Sequence, residues 1–250
     1  MSSVDQVIGF SIVVFFVVLV FVFSSKSIRT RFPVTFRKIE PINRLKKAIG
    51  VAVEDGSRLH VSLGSAQLVD PSNTSALIGL NTLQRVGQLT STSDLPPICT
   101  TGSGSLLLLS QDTLKRISKE TNTQAFYDPN HATMAGATPF SYAIGTTEAI
   151  QNCEVSGNIL LGNFGTEAGL LSDSIGKSGI SIAGSDSITA QSIFYATTPD
   201  TLIGEEVFAL PAYLAVSPKH QASLRVEDVF RMIVAGAIIL GAILTAVGVL

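Results

Sequence analysis

The sequence predicts an α/β fold: a Rossmann-like three-layer sandwich with a mainly parallel sheet, flanked by N- and C-terminal transmembrane helices. Between residues 58 and 218, short apolar segments ending in Gly or Ser alternate with segments of helical periodicity, the pattern of β-α-β crossovers feeding a buried parallel sheet. Two uncharged apolar runs, Gln6–Ser25 and Met232–Leu250, lie outside that stretch. Charged residues make up 14% of the chain, against about 25% in an average soluble domain.

Each apolar run matches the roughly 20 residues that cross a hydrocarbon core of about 30 Å. The leader Met1–Gln6 is mildly acidic, and the first run closes on Phe21-Val-Phe23-Ser-Ser-Lys26 without a small-x-small cleavage pattern. An uncleaved anchor is therefore expected rather than a signal peptide. Lys26, Arg29, Arg31, Arg37, Lys38, Arg44, Lys46 and Lys47 follow the first run, and Lys219, Arg225 and Arg231 precede the second. The positive-inside bias then sets a multi-pass protein of the cell membrane, with residues 26–231 cytoplasmic and both termini outside. The expected organisation is a transmembrane helix at 1–25, a basic juxtamembrane segment with an amphipathic helix at 26–57, the α/β domain at 58–218, and an amphipathic lead-in with the second transmembrane helix at 219–250.

The domain itself is acidic. Between Ala48 and Pro218 the bases are Arg58, Arg85, Lys115, Arg116, Lys119 and Lys177, against fifteen acids. No basic stripe suits nucleic acid; the collar suits the anionic headgroups of the lipid bilayer. Cys99 and Cys153 form neither a CxxC pair nor a zinc-ligand cluster, so no metal and no cofactor is expected, and both thiols read as small buried hydrophobes.

Along the chain, Ile42, Leu45, Ile49 and Ala52 or Val53 give a helix over 41–53 whose basic side is expected toward lipid, stopped by Asp55-Gly56. Strands are expected at 59–63, 97–100, 157–161 and 180–183. Helices are expected at 75–90, at 105–119 with Leu106, Leu109, Leu114 and Ile117 inward, from Pro139 behind the cap Thr138, at 166–176, up to Tyr195, and at 202–214. Residues 121–137 read as an irregular polar stretch.

In open α/β sheets ligands bind at the carboxyl ends of the strands. The ligand-binding candidates are accordingly Ser65, Ser103 with Gly104, Asn163, Glu167, and Ser185 with Asp186, all at strand ends. Gly102-Ser-Gly104 is a fragment of a phosphate loop, but the full GxGxxG and the Walker lysine are absent. Glu167 and Asp186, expected in the first turns of helices, favour the helix dipole and compete with phosphate.

Catalytic residues are unknown. Ser174-Ile-Gly-Lys177 fits SxxK without its companion motifs. His60, His131 and His220 are scattered, and Glu205-Glu206 point about 100° apart on a helix. Asp94 reads as turn chemistry. In the second apolar run, Ala237, Gly241 and Thr245 form the small-xxx-small ladder that lets helices pack closely in lipid. The Val- and Phe-rich first run lacks such a ladder and is expected to face lipid.

Phe36-Arg-Lys-Ile-Glu-Pro41, Ala48-Ile-Gly-Val-Ala-Val-Glu-Asp-Gly-Ser-Arg-Leu-His-Val-Ser-Leu-Gly64, Ser93-Asp-Leu-Pro-Pro97, Ala183-Gly-Ser-Asp186, Tyr195-Ala-Thr197 and Leu202-Ile-Gly-Glu-Glu-Val-Phe208 occur in order. Together they make the chain resemble an uncharacterised family of prokaryotic two-helix membrane proteins with a cytoplasmic domain of unknown function. The resemblance covers residues from about 36 onward and implies the two-anchor architecture, with no catalytic residue to carry over. Pro211 departs from the Gly or Ala it leads one to expect. The function expected is a membrane-anchored structural or scaffold protein, associating as a homo-oligomer or with another membrane protein complex. The alternative is a membrane-tethered small-molecule sensor, with a hydrolase behind both.

Overall fold

The computed structural model describes residues 3–25, 28, 36–65, 74–91, 93, 95–153, 155–175, 179–214 and 218–246. Lys26, Arg29 and Arg31 of the basic collar, together with Asp94 and Lys177, lie outside these residues. The chain divides into two compact units, residues 38–214 and the terminal segments 1–37 with 215–250.

The larger unit holds a six-stranded sheet in the order β3-β2-β1-β4-β5-β6, every neighbouring pair parallel. The strands are β1 (Arg58–Gly64), β2 (Ile98–Thr101), β3 (Ala132–Met134), β4 (Val155–Asn163), β5 (Ile180–Gly184) and β6 (Asp200–Leu202). Parallel neighbours need crossovers, and helices supply them. After α1 (Ser3–Ser24) of the terminal unit come α2 (Glu40–Glu54), α3 (Thr74–Leu89), α4 (Gly104–Glu120), α5 (Pro139–Asn152), α6 (Ala168–Ile175), α7 (Ile188–Thr197) and α8 (Glu205–Tyr213). Packing of α3 against α2, α4 and α8 sets one helical layer, and packing of α6 against α5 and α7 sets the other.

Two expectations fail in the same way. The polar stretch 121–137 contains the edge strand β3, and Leu202 closes the edge strand β6 instead of opening a helix. Each has three residues, too few to show a period in sequence. Leu109, expected inward, is exposed; Leu106, Ser110, Leu114 and Ile117 line the buried side of α4. Pro211 sits inside α8, which ends two residues later at Tyr213. The α5 start is as read: Thr138 and Ser141 form a capping box ahead of Pro139, satisfying two orphan helix-terminal donors.

The core beneath α5, α6 and α7 centres on Phe164, fully buried with Tyr142 and Phe194. Its ring lies 5.4 Å from Phe194 edge-on and 6.5 Å from Tyr142, arrangements that add to simple area burial. On the opposite face, α2 buries Ile42, Leu45, Ala48, Ile49 and Ala52. Its Arg44 pairs with Asp200 at the start of β6 at 3.2 Å and with Glu40 at 3.7 Å.

In the terminal unit, α1 packs along α9 (Pro218–Ala246), and both are long and apolar enough to cross a membrane. Half-buried Phe16, Leu19, Val20 and Phe23 stand at helical spacing on α1. Phe230 of α9 meets Phe15 and Phe16 at ring distances of 5.9 and 5.7 Å. The first helix therefore has a packing stripe built from large side chains, which a search for small residues overlooks.

Candidate functional site

Strand order reverses between β1 and β4, which is where open parallel sheets place their ligand crevice. Here the two strand ends beside it are tied together. Gly64 has φ +85° and pairs with Asn163 after a shift in register. Beyond the strands, Ser65 N–H still reaches the Asn163 carbonyl at 3.1 Å, and Gly102 N–H reaches the Gly64 carbonyl at 2.9 Å. A side chain on Gly64 would collide with the Asn163 backbone. The two central strands are thus held in close backbone contact right to their carboxyl ends.

Above this junction the donors are spent on the protein's own carboxylates. Glu167 is 1% exposed; its Oε1 accepts from the Ser65 hydroxyl at 2.7 Å and from Gly165 N–H at 2.9 Å. Asp186 accepts from the Asn163 amide at 2.8 Å and from Ser75 N–H at 3.3 Å. Four of the strand-end candidates therefore do come together: Ser65 with Glu167, and Asn163 with Asp186. Neither acid lies in a helix's first turn as expected, since α6 begins at Ala168 and α7 at Ile188.

The remaining candidates do turn and cap work. Ser103 caps α4 by accepting from Leu106 N–H at 3.4 Å. Buried Ser185 accepts from Phe164 N–H and Ser187 N–H at 3.4 and 3.2 Å. Open space surrounds Gly104. Ser174 donates to the Leu170 carbonyl and meets Thr147, each at 2.9 Å, as expected for a residue finishing a helix. Glu206 accepts from Ile203 N–H at 3.5 Å at the start of α8. Among the described residues, no three His, Cys, Asp or Glu side chains stand together to hold a metal.

Sequence reading missed a second polar assembly, inside the sheet. Thr146 donates to Thr100 at 3.3 Å, Thr100 to His60 Nε2 at 2.8 Å, and His60 Nδ1–H to Asn158 Oδ1 at 3.1 Å. One register step on, Ser62 bonds the Tyr142 hydroxyl, which also accepts from Gly64 N–H at 3.2 Å. His60 is fully buried, and burial pulls its pKa down to about 4 against a smaller opposing pull from Asn158. Burial likewise raises the Tyr142 phenol. The signal was present: Leu59, Val61 and Leu63 alternate with His60, Ser62 and Gly64, a period of two that marks one polar face.

Hollows lie elsewhere. One of about 40 Å³ sits near the start of β2, among Pro96, Pro97, Phe126 and Tyr127. Another lies between α2 and the starts of β5 and β6, where Arg44 and Asp200 pair. Neither contains a strand-end candidate.

Burial raises the Cys99 thiol pKa to about 12, opposed by a hydrogen bond from Ser110, whereas Cys153 is half-buried. Because the thiolate is the reactive form, a maleimide is expected to label Cys153 alone in the native protein and both cysteines after denaturation. Mass spectrometry of the labelled peptides checks this; native labelling of Cys99 would contradict the buried thiol.

Fold and site define a class: a parallel α/β domain whose strand-end hydroxyl and amide groups bond its own carboxylates, flanked in sequence by two helices able to cross a membrane. The chain belongs to the family described as Domain of unknown function (DUF6754), which matches residues 2–250. No curated protein and no solved structure matches it.

Proposed function

We propose that this chain is a membrane-anchored scaffold that self-associates, alone or within a larger complex of membrane proteins. The carrying observation is the ladder on α9. Closure of α1 on α9 involves Phe15, Phe16 and Phe230, while Ala237 and Thr245 are exposed and open space surrounds Gly241. Thr245 donates to the Gly241 carbonyl at 2.9 Å, so the face brings no unmet donor into lipid. It is suited to a helix from another subunit.

The domain reads as Rossmann-like, supported by its 3-2-1-4-5-6 strand order. We place it in the cytoplasm with both termini outside, on the charge asymmetry flanking the two apolar runs, and in a prokaryotic cell on the family resemblance alone. A small-molecule sensor is less supported, because the strand-end donors are committed to Glu167 and Asp186. A hydrolase has less support still.

The test is Gly241→Leu in the full-length chain, read by energy transfer between donor- and acceptor-labelled copies diluted in vesicles. Wild type is expected to transfer at dilutions where the variant's signal has fallen severalfold. A wild-type chain that is a monodisperse monomer both in mild detergent and in native membranes overturns the proposal. Cys153 also tests the orientation: an impermeant maleimide should label it in inside-out vesicles and not in intact cells.

A further inference from the structure

The two helical layers of the domain differ in chemistry. Helices α5, α6 and α7 contain 14, 8 and 10 residues, yet their only charged residues are Glu148 and Asp173. Across the sheet, α4 alone carries Asp112, Lys115, Arg116, Lys119 and Glu120. The weakly charged layer also exposes large apolar side chains: Phe140 (58%), Ile144 (66%), Leu170 (49%), Ile188 (82%) and Tyr195 (72%). These lie on successive helices, since α6 packs against both α5 and α7.

Polar groups between them make few demands on water. Thr147 donates to the Ala143 carbonyl at 2.9 Å, Ser192 to Ile188 at 2.9 Å and Thr197 to Ile193 at 2.7 Å. A hydroxyl already bonded to its own helix is cheaper to bury than one that needs water. At these exposures the five apolar side chains, spread over three adjacent helices, together leave roughly 600 Å² bare. A standard interface buries about 800 Å² per partner, so this face could supply most of the apolar area of one.

We propose that the outer face of α5, α6 and α7 is the surface by which the domain binds a second copy of this chain. This rests on the scaffold reading and names its domain interface. An anionic bilayer is a poor occupant, because the three helices hold two acids and no base. Co-anchoring in one membrane favours a second copy over a partner from solution: it holds copies in one plane, in one orientation and at high effective concentration. Both acids can sit at the rim of the contact, where they stay hydrated.

The experiment uses the full-length chain with Cys153→Ser, carrying Ile144→Cys, Tyr195→Cys, or Lys115→Cys on the opposite layer, in membranes treated with a short bis-maleimide. Cross-linked dimer is expected for the first two and not for the third. Equal cross-linking of all three, or of none, overturns the proposal. As a second arm, Ile144→Glu with Ile188→Glu changes only exposed positions, and continued protection of Cys99 certifies the fold. This pair should reduce energy transfer between labelled copies severalfold. If Gly241→Leu lowers transfer and the glutamate pair does not, the scaffold reading survives and this interface is wrong. If wild type itself is monomeric, both fall. Cross-linking of these positions to a different protein in place of a second copy also overturns it.

Discussion

Gly64→Ala is expected to destabilise the domain by about 3 kcal/mol or more, among the largest effects available to a single methyl group. Two independent costs add. At φ +85° an L side chain is strained, typically by about 1–2 kcal/mol. The new Cβ would also lie inside van der Waals contact of the Asn163 backbone, and that backbone is held by the β1–β4 ladder. Relief requires the two central strands to separate at their ends, disturbing Gly64 N–H on Tyr142 and Ser65 N–H on Asn163. Gly50 provides the contrast. It is exposed within α2 with nothing near its Cβ position, so Gly50→Ala should stabilise by roughly 0.5–1 kcal/mol. Urea unfolding of the solubilised full chain, followed by Cys99 exposure to maleimide, measures both. A Gly64→Ala protein as stable as wild type would show that the junction yields more easily than its geometry implies.

Acidification is expected to weaken the domain through His60. Its pKa is about 4 in the folded protein, against about 6.5 for an unperturbed imidazole. Above pH 6.5 both folded and unfolded chains carry it neutral, and the imidazole adds no pH dependence. Between 6.5 and 4 the unfolded chain takes up a proton that the native state refuses, so stability falls as pH falls, by up to about 1.4 kcal/mol per unit. By pH 4 the loss reaches about 3 kcal/mol. Carboxylates and the other histidines titrate in the same window, so the informative quantity is the difference from a His60→Gln protein. That difference should shrink steadily from pH 7 to pH 4. A constant difference would mean that His60 takes up its proton as readily in the native state as in the unfolded chain, contrary to its burial between Thr100 and Asn158.

Much of the fold was legible because its signals are local and redundant. Four strands and the principal helices were found from apolar runs long enough to show a period, and Thr138-Pro139 marked the α5 start outright. The failures share a physical cause. Strands β3 and β6 are defined by hydrogen bonds to neighbours, with too few residues to pattern themselves. The strand-end candidates do lie at the ends of strands, because backbone topology dictates where they fall, but their meaning was not readable. Only the fold reveals that Glu167 turns back onto Ser65 and Gly165. Likewise, His60 looked isolated because Thr100, Thr146 and Asn158 are 40, 86 and 98 positions away.

The strand order also bears on how the protein is made. Strand β1 is the first synthesised, yet it occupies the middle of the sheet, and one of its two neighbours is β4. Roughly 100 residues must leave the ribosome before that partner exists, a delay of about 5–20 s at ordinary elongation rates. The ties of Arg44 to Asp200 and of Arg85 to the Leu214 carbonyl wait longer still. Throughout that interval an apolar, sparsely charged chain hangs unfinished and exposed to aggregation.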